Sequence, residues 1–280
     1  MSGQHGDSPT AVVTGSSRGI GKHIAEKFGK AGYNVVVCAL ESERSEIQET
    51  ARQIDEDCSN SSAIGVCCDV TDRESVASLA DRTRERFGTV DVLVNNAGGG
   101  FRAPFESIPY EKWRDVIELN LDGVFNCTQI LGKHMCDRGS GTVLNIASQS
   151  GLEGNVQHTP YCAAKAGVVS LTKTLAFEWA KYNVRVNAIA PGLVATPLVM
   201  GEESSEATIG EVSAENIDRG DVCRRVGHPD EIADVAVFLA SQQASYITGE
   251  TISAAGVPRL ERVLEVYEFE DGDSAWIDVN

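Results

Sequence analysis

The sequence predicts an α/β protein: a doubly wound parallel sheet of about seven strands in a single domain. Three observations predict it. Short apolar runs rich in β-branched residues alternate with helix-period segments from residue 10 to about residue 255, the pattern of repeated βαβ units. A glycine-rich turn, Thr14-Gly15-Ser16-Ser17-Arg18-Gly19-Ile20-Gly21, joins the first run to the first helical segment, where such a sheet needs a tight turn. Finally, 280 residues with 42% hydrophobic composition suffice for one large core.

The elements follow in order. A strand at 10–14 (Thr-Ala-Val-Val-Thr) leads into a helix at 19–31, whose apolar residues begin at Ile20 and Ile24. Further strands are expected at 34–39, 63–68, 90–95, 142–147, 184–189 and 250–254, with helices at 43–56, 72–87, 111–137, 160–181 and 229–240. Thr71 with Glu74 reads as a capping box, and Pro229 as a first-turn residue before Asp230 and Glu231. Residues 193–228, with Pro197, Gly201, Gly210, Gly220 and many acids, are too long for an ordinary connection and read as a flap with a short helix. The main domain then spans 1–256, and 257–280 form an acidic C-terminal extension. Its run Val263-Leu264-Glu265-Val266-Tyr267-Glu268-Phe269-Glu270 alternates weakly and suits a strand, a subunit contact or a frayed tail.

Charge narrows the partners. A net charge of −17 disfavours nucleic acid and anionic membranes and leaves small molecules. No Lys follows Lys181, and residues 261–280 carry seven acids against one Arg, a balance that fits either adaptation to high salt or simply an acidic enzyme with an acidic tail. No apolar run approaches the roughly 18 residues of a bilayer span, and Met1 to Asp7 lack the regions of a signal peptide. A soluble, cytoplasmic protein is expected. The eight cysteines are scattered without a Cys-x-x-Cys pair, which indicates reduced thiols and neither a zinc site nor a disulfide framework.

The chemistry-bearing residues are few. Gly15, Gly19 and Gly21 permit backbone N–H groups to approach a pyrophosphate at a helix N-terminus. Tyr161 and Lys165, four apart on a helix, share one face; the ammonium there favours the phenolate and lowers a pKa that starts near 10. A phenol tuned in this way can exchange protons at working pH. Ser148 lies thirteen residues upstream of Tyr161, at the end of the strand 142–147. A carbonyl awaiting hydride needs hydrogen bonds at its oxygen and one proton donor, and these two hydroxyls meet that need.

With the glycine turn, Asp69, Asn95-Asn96-Ala97-Gly98, Asn120, Ser148, Tyr161-x-x-x-Lys165 and Pro191-Gly192 all in order, the chain resembles the short-chain dehydrogenase/reductase family. The likeness runs from residue 10 to about 256 and is to its compact single-domain type, similar to 3-oxoacyl-carrier-protein reductases and glucose 1-dehydrogenases. It implies a Rossmann-type sheet in the order 3-2-1-4-5-6-7, with the site at the carboxyl ends of the strands. It implies Tyr161 as proton donor or base, Ser148 holding the same oxygen, Lys165 on the nicotinamide ribose, and Asn120 organising a water chain to Lys165. Cofactor contacts implied by position are Gly15, Ser17, Arg18, Gly19, Ile20, Asp69, Val70, Asn96, Ala97, Gly98, Tyr161, Lys165, Pro191, Gly192, Val194 and Thr196. Asp69 matches the family's adenine contact, although read structurally it is a turn residue capping the next helix. Gln149 and His158 fall where substrate contacts are found, and a homotetramer is implied.

Cofactor choice turns on charge. The acid that commonly receives the ribose 2′-OH is absent, since that place reads Ala39-Leu40. Arg18 suits the 2′-phosphate of NADP, so NADP(H) is favoured over NAD(H), although Glu41 and Glu43 lie nearby. The expected function is hydride transfer between NADP(H) and a ketone or secondary alcohol, of 3-oxoacyl thioester or sugar type. One rival is a catalytically silent nucleotide sensor or scaffold on the same fold; an intact Ser148, Tyr161 and Lys165 argue against it. The other is a nucleotide-sugar epimerase or dehydratase, whose larger C-terminal domain has little room here.

Overall fold

A computed structural model describes residues 8–196 and 226–256. Seven parallel strands form one sheet in the order β3-β2-β1-β4-β5-β6-β7, as expected: β1 (Thr10–Thr14), β2 (Asn34–Ala39), β3 (Ala63–Cys67), β4 (Val92–Asn95), β5 (Gly141–Ile146), β6 (Val184–Pro191) and β7 (Thr251–Ala254). Every residue of β1 and β2 is buried, because helices cover both faces of a parallel sheet.

Alternate side chains go to opposite faces. Ala11, Val13, Val35 and Val37 meet Ile24 and Phe28 of α1 (Gly19–Lys30), Ile47 and Ile54 of α2 (Arg44–Asp57), and Ile232 and Leu239 of the helix at Pro229–Ala240. Val12, Val36 and Val143 meet Val76 and Leu79 of α3 (Arg73–Phe87) and Leu131 and Met135 of a later helix at Gly123–Arg138. Each of these Val, Leu, Ile, Phe and Met side chains, fully buried, contributes roughly 1.5–3 kcal/mol. Strand order reverses between β1 and β4, both of which pair in parallel with their neighbours, so a crevice opens beyond their carboxyl ends. The site must be sought there.

The helix expected over 111–137 is three pieces. Helix α4 (Tyr110–Ile117) passes through a π-helical turn at Glu118–Asp122 into α5 (Gly123–Arg138). A short helix, α6 (Gln149–Glu153), precedes α7 (Thr159–Trp179), and α8 (Pro229–Ala240) is the last α-helix among the described residues. The capping box expected at Thr71 and Glu74 does not form. Asp72 caps α3 instead, accepting from the Glu74 N–H at 2.9 Å, while the Thr71 hydroxyl donates to Asp69 Oδ1 at 2.7 Å; a carboxylate is the stronger acceptor for an orphan N–H. At α8, Pro229 takes the first turn as expected, and His228 and Glu231 close a capping box around it. Strand β6 extends to Pro191, beyond the expected residue 189, with Pro191 at its final position, where a missing N–H matters least.

The half-buried Arg185 ties α8 to the sheet. Its guanidinium donates to the Leu239 carbonyl at 2.6 Å, to that of Ala240 at 3.2 Å and to Thr142 Oγ1 at 3.0 Å. A cation there satisfies carbonyls that the helix end leaves open. The sheet edge and the helix C-terminus are thereby held in one place.

Of the stretch expected to act as a flap, the two ends are described. Val194 bridges Gly227, with the Ala195 N–H donating to Gly227 at 2.9 Å and the Gly227 N–H to Leu193 at 2.8 Å. Residues 197–225 and the acidic extension 257–280, together with the readings made on them, lie outside the described residues.

Candidate active site

The glycine turn leaves β1 and is fastened to the end of β4. Thr14 Oγ1 accepts from the Asn96 and Ala97 N–H groups at 2.9 and 3.0 Å, and Asn96 Nδ2 donates to the Thr14 and Gly15 carbonyls at 3.0 and 2.9 Å. Gly15 adopts φ +61°, a left-handed conformation that favours glycine. A Cβ on Gly21 would stand 2.3 Å from the Gly15 carbonyl oxygen and 2.4 Å from Asn96 Nδ2. The turn therefore closes only because those side chains are missing. Gly19 and Ile20 open α1, whose first turn carries no acid, so its N-terminal dipole can receive an anion.

The other expected nucleotide contacts line the same crevice. Asp69 lies just past β3, exposed, accepting from the Thr71 N–H at 2.9 Å. Val70 is buried behind it, its carbonyl receiving Asn126 Nδ2 at 3.0 Å and its side chain facing Gly123. Ser17 Oγ donates to Glu43 Oε1 at 3.0 Å, and Arg18 Nη2 lies 3.4 Å from the same oxygen. On the far side, the Gly192 N–H donates to Ala254 at 3.1 Å and the Gly192 Cα packs against Ala255. Pro191 and Val194 are buried beside it, and Thr196 is half-buried.

The chemical centre is assembled from β5, α7 and the π-helical turn. Ser148 ends the segment after β5 and caps α6, its Oγ accepting from the Ser150 N–H at 3.1 Å. Burial holds Tyr161 above its ordinary value, and the nearby Ser148 side chain pulls the phenol only partly back down. Lys165 is buried, donates to the Ile146 carbonyl at 2.8 Å and lies 5.5 Å from the Tyr161 ring centre. Desolvation pulls its ammonium down to about 8. The lowering of Tyr161 by Lys165 expected from the helical spacing is thus not what the structure gives: burial dominates.

Asn120 sits in the π-helical turn, fully buried. Its Nδ2 donates to Gly99 at 2.7 Å and to Val116 at 2.9 Å, and its Oδ1 accepts from the Gly99 N–H at 3.3 Å. The wider turn leaves the Val116 carbonyl for this side chain and swings Asn120 toward the segment after β4. A Cβ on Gly98 would lie 2.7 Å from Asn120 Oδ1 and 3.4 Å from Lys165 Nζ, so all three meet at one point. Gln149 instead donates to the Ala190 carbonyl at 3.3 Å and to Ser253 Oγ, tying α6 to β6 and β7. His158 stands at the N-cap position of α7 with its ring 5.5 Å from that of Tyr161, and its Nε2 accepts from Arg102 Nε at 2.9 Å. Gln157, at φ +61°, receives the Ala103 N–H at 3.0 Å, so the segment after β4 is clamped to the start of α7.

Residues 15–256 match the family described as enoyl-(acyl carrier protein) reductase. The chain belongs to the short-chain dehydrogenase/reductase family. Among the relatives of this short-chain dehydrogenase/reductase is an NAD-dependent glycerol dehydrogenase of Listeria innocua, 37% identical over 88% of this chain and 92% of the relative. A 3-oxoacyl-[acyl-carrier-protein] reductase of Thermotoga maritima is 35% identical over 89% and 97%. A crystal structure of an actinorhodin polyketide ketoreductase variant with NADPH superposes with a TM-score of 0.80 and 38% identity, covering 89% of this chain and 97% of that one.

The nucleotide of such oxidoreductases fits this short-chain dehydrogenase/reductase, because the side-chain-free cradle of Gly15 and Gly21 opens at an acid-free helix N-terminus. One residue escaped the sequence reading, and another was named there without its role. Arg102 carries no motif and is found only through its contact with His158. Glu43 is visible four residues past β2, but nothing in the sequence shows that it turns toward Ser17 and Arg18.

Proposed function

We propose that the protein interconverts a ketone and a secondary alcohol with NAD(P)(H), using Tyr161 as the acid and base. The observation that carries this is the meeting of Tyr161, Ser148 and a buried Lys165, 5.5 Å from the Tyr161 ring centre, at the carboxyl end of the sheet, with Asn120 behind them. The dinucleotide, when bound, supplies or takes the hydride. Ser148 holds the substrate oxygen, and Tyr161 gives that oxygen its proton in reduction or removes it in oxidation. Lys165 replaces water beneath the phenol and holds the nicotinamide ribose, while Asn120 keeps the π-helical turn open as the route by which protons return to Lys165. Gly15, Ser17, Arg18, Gly19, Ile20, Asp69, Val70, Asn96, Ala97 and Gly98 bind the nucleotide from one side, and Pro191, Gly192, Val194 and Thr196 from the other.

Substrates of the 3-oxoacyl thioester and the polyol or sugar type both accord with the relatives, which include a D-threitol dehydrogenase of Mycolicibacterium smegmatis. The segment 193–228 selects among them, supported by the joining of its two ends beside Gly192. Gln149 and His158 line the substrate side. Exposed Phe125 on α5 and Phe177 on α7 support assembly into a homotetramer through these helices. Among the described residues no helix is long and apolar enough to cross a membrane; separately, the acidic composition supports a cytoplasmic protein, one adapted to salt. By its charge alone Arg18 would suit NADP(H), the preference the sequence suggests; its ion pair with Glu43 bears on that choice.

A panel of carbonyls and alcohols followed by nicotinamide absorbance tests the reaction. Turnover of a ketone or secondary alcohol is expected. A folded protein that binds nucleotide and turns over none of them would instead be a silent sensor.

A further inference from the structure

Three acids follow β2, and only Glu43 faces the glycine turn. Glu41 is held outward by Arg44, which donates to its two oxygens at 2.6 and 2.7 Å. Glu46 accepts from Ser45 Oγ at 2.9 Å. Glu43 turns the other way, accepting from Ser17 Oγ at 3.0 Å with Arg18 Nη2 at 3.4 Å. Its side chain is 22% exposed, against 71% for Arg18. Both backbones are anchored: the turn to β2, by the Ser16 N–H to the Cys38 carbonyl at 3.0 Å and the Cys38 N–H to Ser16 Oγ at 2.9 Å, and Glu43 by its own N–H to the Leu40 carbonyl at 3.0 Å. The carboxylate is therefore fixed against the turn, and the guanidinium is the mobile partner.

In a dinucleotide site, an acid past the second strand receives the ribose 2′-hydroxyl, whereas an arginine receives a 2′-phosphate. Here the two occur together and engage each other. An exposed ion pair holds Arg18 only weakly, so it can turn away; Glu43, held also by Ser17 and by its place at the start of α2, stays. A phosphate monoester carries nearly two negative charges at neutral pH. Brought to Arg18, it would meet the Glu43 carboxylate, and Glu46, whose carboxyl is lowered by its own backbone N–H, by Ser45 and by Arg18, adds to the negative field. Ala39 and Leu40 supply no second cation. A hydroxyl at the same place can instead donate to Glu43.

We infer that Glu43 is the residue that sets nucleotide choice, selecting NAD(H) over NADP(H) by accepting the ribose 2′-hydroxyl and repelling a 2′-phosphate. The inference rests on the proposed dinucleotide site and reverses the preference that Arg18 alone suggests. Fluorescence titration of the full chain with NADH and NADPH tests it, with AMP and 2′,5′-ADP as competitors that isolate the 2′ group. The wild type should bind NADH more tightly, and Glu43→Gln should raise affinity for NADPH about tenfold or more relative to NADH, with an unchanged melting temperature as the check on folding. Tighter NADPH binding by the wild type, or a NADH-to-NADPH ratio unmoved by Glu43→Gln, overturns the role of Glu43 while leaving the dinucleotide site intact. If the folded wild type binds neither nucleotide, the dinucleotide reading itself falls, and this inference with it.

Discussion

The ammonium of Lys165 lies under the Tyr161 ring, 5.5 Å from its centre, and donates its 2.8 Å hydrogen bond to the carbonyl of Ile146. A buried cation is thus stored beside a buried phenol, each displaced from its ordinary pKa by desolvation, downward for Lys165 and upward for Tyr161. The helix supplies the spacing; burial supplies the tuning.

Storing that cation lowers stability in a pH-dependent way. Lys165 titrates at about 8 in the folded chain and near 10.4 when unfolded, so between these values the unfolded state binds more protons and stability rises with pH. Below about pH 8 the full cost is present, on the order of 3 kcal/mol. Lys165→Met should therefore be more stable than the wild type at neutral pH, with the gap narrowing towards about pH 10.4. Urea melts across that window check it, and a pH-independent gap would show that the ammonium is not desolvated.

Asn120→Ala removes the donor to the Gly99 and Val116 carbonyls. Leaving buried acceptors unpaired should cost about 1–3 kcal/mol, read as a lower melting temperature. Turnover should fall further than substrate KM rises, since Asn120 touches Lys165's surroundings and not the substrate. A stable variant with full kcat would refute its positioning role.

Gly21→Ala puts a methyl 2.3 Å from the Gly15 carbonyl oxygen, and both atoms belong to the turn. We expect a loss of about 1–3 kcal/mol in stability together with weakened nucleotide binding, measured by calorimetry. Unchanged affinity would mean that the turn does not hold the nucleotide.

The sheet was legible because buried parallel strands read as β-branched runs such as Val35-Val36-Val37, and the order of motifs placed the site on it. The π-helical turn at Glu118–Asp122 was not, because one wide turn adds a single residue to a long helical pattern and its backbone bonding leaves no mark in the sequence. Helix α6 is five residues long and leaves no period to read. The direction of the Tyr161 shift was missed because spacing reveals a charged neighbour but not the depth of burial, which decided the sign.

Charge leads to a separate expectation. At −17 the chain repels itself, and salt should screen that repulsion. If the acidic surface reflects adaptation to salt, activity and melting temperature should climb along a KCl series towards roughly molar concentration, beyond the range where simple screening saturates. A flat profile would leave only an acidic protein.

The most direct measurement is turnover by Tyr161→Phe on a substrate the wild type accepts. The phenyl ring keeps the packing and Lys165 beneath it, and only the hydroxyl is lost. We expect kcat to drop by about 10²–10⁴-fold, with nucleotide affinity nearly intact because the phenol acts chiefly in the transition state. A variant with wild-type kcat would contradict the assignment of Tyr161 as the acid and base.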